Sequence, residues 1–157
     1  MIIKSFELNK VDYNKKLFLL YGVNQGYKNQ IIEEKFRRNY IKCTYSYDEN
    51  EILKNKENFF NSILSKSFFE EEKLIIINRA TDKIKDVVEE IIEKKITDLV
   101  LVLNSNSLEK KSKLRILFEK NKETVCIPFY EDNNQTLSGI INLFFKEKKI
   151  PVSQKMI

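Results

Sequence analysis

The sequence contains no histidine among its 157 residues. Histidine is the commonest general base, activator of nucleophiles and metal ligand, so its absence argues against triad hydrolases, zinc enzymes and much acid–base catalysis. The two cysteines, Cys43 and Cys126, lie far apart and neither belongs to a paired spacing. A zinc site or a disulfide framework would need partners that the chain does not offer. The sequence therefore predicts no catalytic residue, no metal site and no cofactor.

Long apolar runs are also missing. None approaches the roughly 18 residues needed to span a bilayer, and the charges of Lys4, Glu7 and Lys10 come too early for a secretory signal. We therefore expect a cytoplasmic protein with no membrane partner. The net charge of +5 arises from basic and acidic residues that are interleaved, so it permits affinity for nucleic acid without demanding it.

The apolar residues that are present alternate between two periodicities. Continuous runs, typical of strands buried on both faces, occur at 17–21, 74–77, 99–103 and 124–127, with a weaker fifth at 41–47. Helical spacing predicts helices over 28–40, 84–92, 108–120 (with Ser107 as its N-cap) and 137–145. This alternation predicts an α/β three-layer sandwich around a five-stranded, mostly parallel sheet.

The turn after the first strand is where a nucleotide site of such a sheet would lie. A phosphate-binding loop has the pattern GxxxxGK[ST]. Here Gly22 and Gly26 are one position too close, Tyr27 separates Gly26 from Lys28, and Asn29 replaces the magnesium-binding hydroxyl. We therefore interpret Gly22, Gly26 and Lys28 as a degenerate phosphate loop that does not bind nucleotide.

Other phosphate-handling folds fit no better. The third strand runs into Asn78 and Arg79 instead of an acidic residue, and the fourth ends in an Asn-Ser-Asn sequence. A receiver domain would need clustered carboxylates at these strand ends, and the dinucleotide fingerprint is absent. A binding or mechanical role is favoured over catalysis.

One break in the pattern lies near the end of the chain. The run 146–149 (KEKK) is followed by Ile150 and Pro151, and proline cannot continue a helix. We expect the last helix to stop near Ile150 and Ser153 to cap another. Residues 1–150 are thus predicted to form one domain, and residues 151–157 the start of a truncated, helical second domain.

Four collinear segments carry a family resemblance. They read LFLLYGVNQGYKNQIIEE, ILSKSFFEEEKLIIIN, LVLVLNSNSLEKKSKLRILFEK and PFYEDNNQTLSGIINLFFKEKKI. Together they resemble, over essentially the whole chain, the N-terminal domain of the delta subunit of the bacterial DNA polymerase III clamp loader.

The resemblance implies a degenerate AAA+ module of RecA-like topology that has lost its ATP site. In that family the delta subunit binds the beta sliding clamp and opens one interface of the ring, through two large apolar residues that follow a serine. The matching positions are Ser67, Phe68 and Phe69. Family members often have leucine before the phenylalanine, so Phe68 departs from the pattern.

The resemblance also implies partners. The ATP-binding gamma/tau subunits and the delta-prime subunit would supply the energy of ATP, and primed DNA would be reached through the whole assembly. The chain would be a non-catalytic component of the polymerase III holoenzyme, a nucleotidyltransferase only as an assembly.

Phe68 and Phe69 are unusual even without the resemblance. The preceding helix can bury Phe59 or Phe60 with Ile63, and the strand at 74–77 has its own apolar run, so this pair belongs to neither pattern. The rings are either displayed by the turn or folded under it, and exposed aromatic pairs are typical anchors of interfaces. The three glutamates at 70–72 are expected to be solvated and to keep the pair soluble.

Two alternatives remain open from the sequence. The chain is a divergent P-loop NTPase or kinase if Lys28 still holds a phosphate. It is a direct nucleic-acid binder if Lys110, Lys111, Lys113 and Arg115 form a contact surface instead of a solvated helix face.

Overall fold

The computed structural model describes residues 2–3, 5–40, 43–65, 72–96 and 98–150. Within these ranges the strands are β1 (Leu17–Tyr21), β2 (Thr44–Asp48), β3 (Lys73–Asn78), β4 (Leu99–Ser105) and β5 (Thr124–Pro128). The helices are α1 (Gln25–Ile31), α2 (Glu49–Lys54), α3 (Lys56–Leu64), α4 (Lys85–Glu93), α5 (Lys113–Lys120) and α6 (Asn134–Glu147). Helix α1 continues as a π turn and a 3-10 turn to Asn39, and further 3-10 turns lie at Ser5–Lys10 and Asp82–Ile84.

The five strands form one sheet in the order β2-β3-β4-β1-β5, and every pairing is parallel. Strand β4 is central, and β1 lies between β4 and β5, with Leu19 opposite Leu103 on one side and Cys126 on the other. The prediction of a five-stranded α/β sheet is confirmed, and the sheet is all-parallel.

Two apolar clusters cover the two faces of the sheet. One contains buried residues of α2, α3, α4 and α5 against Leu19 and Leu101, and the other contains Phe18 and Leu20 against α1 and the N-terminal segment. Because both faces are covered, β1, β4 and β5 are buried along their whole length. This double burial explains the continuous apolar runs and confirms the three-layer arrangement.

The helix predicted over 108–120 begins later than its periodicity suggested. Ser112, not Ser107, is the N-cap of α5, since its side chain accepts a hydrogen bond from the N–H of Arg115 at 3.2 Å. Asp82, from the turn after β3, accepts from the N–H of Leu114 at 3.0 Å and from the Ser112 hydroxyl at 2.5 Å. The start of α5 is thus set by a residue about thirty positions away.

The helical prediction for 28–40 also shifts, because Asn24 caps α1 and the helix begins at Gln25. The stripe in α4 is buried as expected. By contrast, Leu137, Ile141 and Phe144 of α6 are exposed.

Pro151 lies outside the described residues, so the predicted domain boundary stays a prediction.

The Asp82 carboxylate lies at the positive end of the α5 dipole. Burial alone would raise its pKa, but hydrogen bonds from Ser112 and the N–H groups of Leu114 and Lys113 outweigh burial and hold the pKa below its usual value. A lowered carboxylate pKa means that the charged form stabilises the fold.

We expect Asp82→Asn to lower the free energy of unfolding at pH 7 by up to about 1 kcal/mol, because Asp82 is exposed and acts as a cap. The stabilisation should be complete above the pKa of the unfolded chain, about 3.9, and should be lost as pH falls through the lower folded value. Urea unfolding at pH 7 measures the loss of stability, and urea unfolding below pH 4 measures how that loss depends on pH. Asp86→Asn, in the first turn of α4, controls for the charge, and an equal effect of both variants would contradict the role of Asp82.

Candidate functional site

The loop after β1 is closed by the segment that follows β5. Gly22 has a φ of +126°, and a Cβ at this position would lie 2.0 Å from the carbonyl oxygen of Phe129. The N–H of Phe129 donates to the carbonyl of Tyr21 at 2.7 Å, so the backbone of Phe129 lies directly on the glycine. Only a residue without a side chain fits there.

The N–H groups of this loop donate to the protein itself. Gly22 donates to the carbonyl of Asn106 at 3.1 Å and Asn24 to the carbonyl of Phe129 at 3.3 Å. The N–H of Tyr27 donates to Oδ1 of Asn24 at 3.1 Å, while Nδ2 of Asn24 donates to Asp132 at 2.7 Å. In a phosphate-binding loop such N–H groups point at the anion.

Lys28 is turned into the protein. Its residue is fully buried, and Nζ donates to the carbonyl of Ser105 at the end of β4. Burial disfavours the charged form and lowers the pKa of Lys28 to about 8. The ammonium group therefore joins α1 to β4 instead of facing solvent.

Asparagine side chains at the ends of β3 and β4 form hydrogen bonds that reach across to β2. Asn104 donates to the side-chain oxygen of Asn78 at 3.2 Å, and Asn78 donates to the hydroxyl of Ser46 at 3.0 Å. Arg79, which follows Asn78, is ion-paired with Asp48. No group of three or more potential metal-ligating side chains is found in the part of the chain that the structure describes.

The predicted aromatic contact lies outside the described residues: Ser67, Phe68 and Phe69 belong to segment 66–71. The elements on either side are described and match the expectation. Helix α3 buries both Phe59 and Phe60 together with Ile63, and residues 74–77 of β3 are buried. Segment 66–71 therefore connects two elements whose apolar positions already face the core.

Lys73, just after this segment, is bound to the end of α3. Its Nζ donates to the carbonyl of Ser65 at 2.6 Å and to that of Ser62 at 3.2 Å. A lysine that donates to the last carbonyls of a helix also complements the helix dipole. Sequence analysis missed this residue, although a charge at the start of an apolar strand was the available signal.

Glu72 is fixed as well. Its carboxylate is ion-paired with Lys16 and accepts a hydrogen bond from the Tyr40 hydroxyl. Burial, followed by this hydrogen bond, raises the pKa of Tyr40 to about 12. The expectation of a solvated glutamate is wrong for Glu72, because two distant side chains converge on it.

The two regions lie at opposite ends of the sheet. The loop containing Gly22 and Lys28 follows β1, whereas segment 66–71 precedes β3. Because all strands are parallel, starts of strands share one edge and ends share the other. Gly22 and Lys73, the first residue of β3, therefore lie at opposite edges of the sheet.

The proposed basic face of α5 is smaller than the sequence suggested. Arg115 is bonded to Glu119 at 2.6 Å, stacks over the ring of Tyr21 at 4.9 Å and has only 14% of its side chain exposed. Lys111 is exposed but ion-paired with Glu109 at 3.0 Å. Arg115 therefore does not belong to an open nucleic-acid surface.

Helices in the described ranges are too short or too polar to cross a bilayer.

The closeness of Gly22 to Phe129 leads to a test with a matched control. We expect Gly22→Ala to destabilise the protein by at least about 2 kcal/mol, because the new Cβ overlaps a backbone oxygen at a positive φ. Gly26→Ala meets open space within α1 and should be neutral or stabilise by up to about 1 kcal/mol. Chemical denaturation of both variants measures the difference, and a tolerated Gly22→Ala would contradict the closed loop.

Comparison with known proteins identifies the family of this chain. The family model for "DNA polymerase III, delta subunit" matches residues 19–128. A search of curated proteins finds no match. Among solved structures, the Bacillus subtilis DNA clamp loader delta protein (YqeN) is similar, with a TM-score of 0.66 and 17% identity over 91% of this chain.

The chain spans 46% of that structure's length. At this identity the structural similarity establishes the fold. The sequence match covers both the loop after β1 and segment 66–71. On that match, the chain belongs to the DNA polymerase III delta subunit family.

Proposed function

We propose that this chain is the clamp-binding, non-catalytic part of a clamp-loader delta subunit, which binds the beta sliding clamp and helps to open the ring for loading onto primed DNA. The observation that carries the proposal is the family match over residues 19–128. The protein acts in the bacterial cytoplasm beside the gamma/tau ATPase and delta-prime subunits. Primed DNA is reached through the whole assembly.

The strand order supports the interpretation as a degenerate AAA+ module. In chain numbering the sheet reads 5-1-4-3-2 from one edge to the other, and all strands are parallel. RecA-like domains share this arrangement, with the phosphate loop after β1. In this proposal residues 1–150 form the module, and residues 151–157 begin a second domain.

Three features at this edge of the sheet support the absence of a working ATP site. The N–H groups of the loop at Gly22, Asn24 and Tyr27 already have protein acceptors. Lys28 is buried on the carbonyl of Ser105, and β3 ends in Asn78 where a magnesium-binding carboxylate would be needed. Nucleotide binding would have to break internal bonds and expose a buried lysine, which favours a role without nucleotide.

The clamp contact is proposed at Ser67, Phe68 and Phe69. Helix α3 and strand β3 fill the adjacent core with their own apolar residues, which supports the assignment of the contact to this pair. The segment begins and ends at fixed points, since Ser65 is bonded to Lys73 and Glu72 to Lys16. Fixed ends reduce the entropy that binding must overcome.

Opening a ring in this way requires no hydrolysis by the chain itself. A ligand shifts a conformational equilibrium only by its difference in affinity for the two states. The module therefore has to bind the open or distorted clamp more tightly than the closed one. ATP bound by partner subunits would control when the contact is exposed.

We expect the double change Phe68→Ala and Phe69→Ala to weaken clamp binding at least about a hundredfold, since each hot-spot truncation commonly costs about 2 kcal/mol or more. The fold should remain intact. Surface plasmon resonance with the cognate clamp and circular dichroism measure the two properties.

Phe144→Ala is the matched control, because Phe144 is an exposed phenylalanine on another element, with 54% of its surface exposed on α6. It should leave the affinity unchanged. If the double variant bound as tightly as wild type, the interface would lie elsewhere. If it failed to fold, the two rings would belong to the core.

Lys28→Met distinguishes a structural lysine from a phosphate ligand. The folded pKa of about 8 lies below the ordinary value of 10.5, so between these values the unfolded chain binds more protons. The stability of wild type relative to Lys28→Met should therefore rise with pH, by at most about 1.4 kcal/mol per unit. Chemical denaturation of both proteins from pH 7 to pH 10.5 measures this rise in relative stability. Saturable MgATP binding that Lys28→Met abolishes would contradict the proposal.

A further inference from the structure

A surface groove lies between helices α4 and α5. Both helices pack on the sheet face that contains Leu19 and Leu101. Each helix returns from the end of one strand to the start of the next parallel strand, so the two helices run in the same direction. The α4/α5 groove has a volume of about 420 Å³ and is lined by side chains of both helices. The function proposed above does not use it.

One face of α5 provides most of the groove. The lining residues from α5 and the position after it are spaced at i, i+3, i+4, i+7 and i+8, and they are Lys113, Ile116, Leu117, Lys120 and Asn121. Residues with this spacing lie on one side of a helix. Because the last is eight positions after the first, this face is about 12 Å long at roughly 1.5 Å per residue. Two turns of a bound helix would cover it.

The middle of this face is apolar and partly exposed. Leu117 packs against the core cluster beneath α5, whereas Ile116 is not among the described members of either core cluster. Both residues are half-buried. A single exposed apolar residue is ordinary on a protein surface. Here two of them lie side by side in a concave surface, which suits an apolar anchor from a partner.

Lysines lie one turn before and one turn after this apolar pair. Lys113 precedes Leu117 by four positions, and Lys120 follows Ile116 by four. Lys113 is near enough to Asp82 to help lower the pKa of that carboxyl. Neither lysine, however, is within ion-pair distance of a carboxylate in the ranges that the structure describes.

The opposite wall of the groove, on α4, is already neutralised. Lys85 and Glu89 lie on the same side of α4 and are ion-paired at 2.6 Å. The charge that is left without a counter-charge is therefore positive and lies on α5. Charge complementarity requires an occupant that brings carboxylates to Lys113 and Lys120 and apolar side chains to the surface between them.

An acidic polypeptide fits this surface better than a nucleic acid does. A phosphodiester backbone gains from basic side chains but has nothing to place on Ile116 and Leu117. The Glu89 carboxylate lines the same groove and would repel phosphates. On the same helix, Arg115 is bonded to Glu119. The groove therefore lacks the continuous basic track that a phosphate backbone needs.

We propose that the α4/α5 groove binds an acidic, amphipathic helix of a protein partner. Two neighbouring apolar residues of that helix contact Ile116 and Leu117, and acidic residues one turn to either side pair with Lys113 and Lys120. The pattern is Asp/Glu-x-x-apolar-apolar-x-x-Asp/Glu, which places all four side chains on one face of the bound helix. This inference does not rest on the proposed function.

A helical probe peptide tests the groove. The probe is a fluorescein-labelled peptide with the core Glu-Ala-Gln-Leu-Leu-Ala-Gln-Glu, stapled on the opposite face. We expect saturable binding to the wild-type chain in fluorescence anisotropy, and Ile116→Gln should weaken it about tenfold because the apolar contact is lost. A matched peptide with lysine in place of both glutamates should bind at least about tenfold more weakly. No saturable binding of the acidic probe, or equal binding of the two peptides, would overturn the proposal.

Charge reversal in the protein tests the two lysines. Lys113→Glu with Lys120→Glu should weaken probe binding at least about tenfold, because two attractive pairs become repulsive. Lys35→Glu with Arg38→Glu is the matched control, since it makes the same change in net charge at exposed residues on the other face of the sheet. The control should bind like wild type, and circular dichroism checks the fold of each variant. Equal losses in the two double variants would indicate an effect of net charge alone and would overturn the assignment to the groove.

Methyl NMR of the wild-type chain provides a measurement that needs no variant. The methyl signals of Ile116 and Leu117 should shift when the acidic probe is added, whereas those of Ile32, in the cluster on the other face, should not. Shifts that spare Ile116 and Leu117 would overturn the proposal. Duplex DNA that shifts the same methyl groups and displaces the probe would assign the groove to nucleic acid. The same shifts in the chain alone as its concentration rises would assign it to a second copy, and either result would overturn the proposal.

Discussion

The contact between Gly22 and the backbone of Phe129 determines what the ends of the strands can do. A carbonyl oxygen lies where any side chain at position 22 would begin, and the same oxygen accepts the N–H of Asn24. The loop that would otherwise surround a phosphate is therefore packed against protein. Once its donors are used internally, an anion gains little by entering, because it would replace bonds that already exist.

The burial of Lys28 follows from the same arrangement. With the loop closed, the Lys28 ammonium donates to the carbonyl of Ser105 at the end of β4. The fold tolerates the cost of a desolvated ammonium, visible in the lowered pKa, because the bond joins α1 to the centre of the sheet. Lys28 is therefore an internal link between helix and sheet.

Much of the fold was predictable from local pattern, because strands buried on both faces leave an unbroken apolar run and α4 has one clear stripe. The spacing of Gly22, Gly26 and Lys28 also departs from a phosphate-loop pattern, and the interpretation of this loop stays a prediction. The start of α5 was not predictable, since Asp82 and Ser112 are brought together only by the sheet. Glu72 was misjudged for the same reason: its partners Lys16 and Tyr40 are distant in sequence.

The separation of the two ends of the sheet has a mechanical consequence. The residues on either side of segment 66–71 are both fixed, since Ser65 is bonded to Lys73 and Glu72 is ion-paired with Lys16, which precedes β1. A load on these two residues would therefore pass to α3 and to β1, which is paired on both sides within the all-parallel sheet. Under the proposed function, a module that distorts its partner would need such support. The loop after β1 lies at the opposite edge of the sheet, so changes in that loop leave these bonds in place.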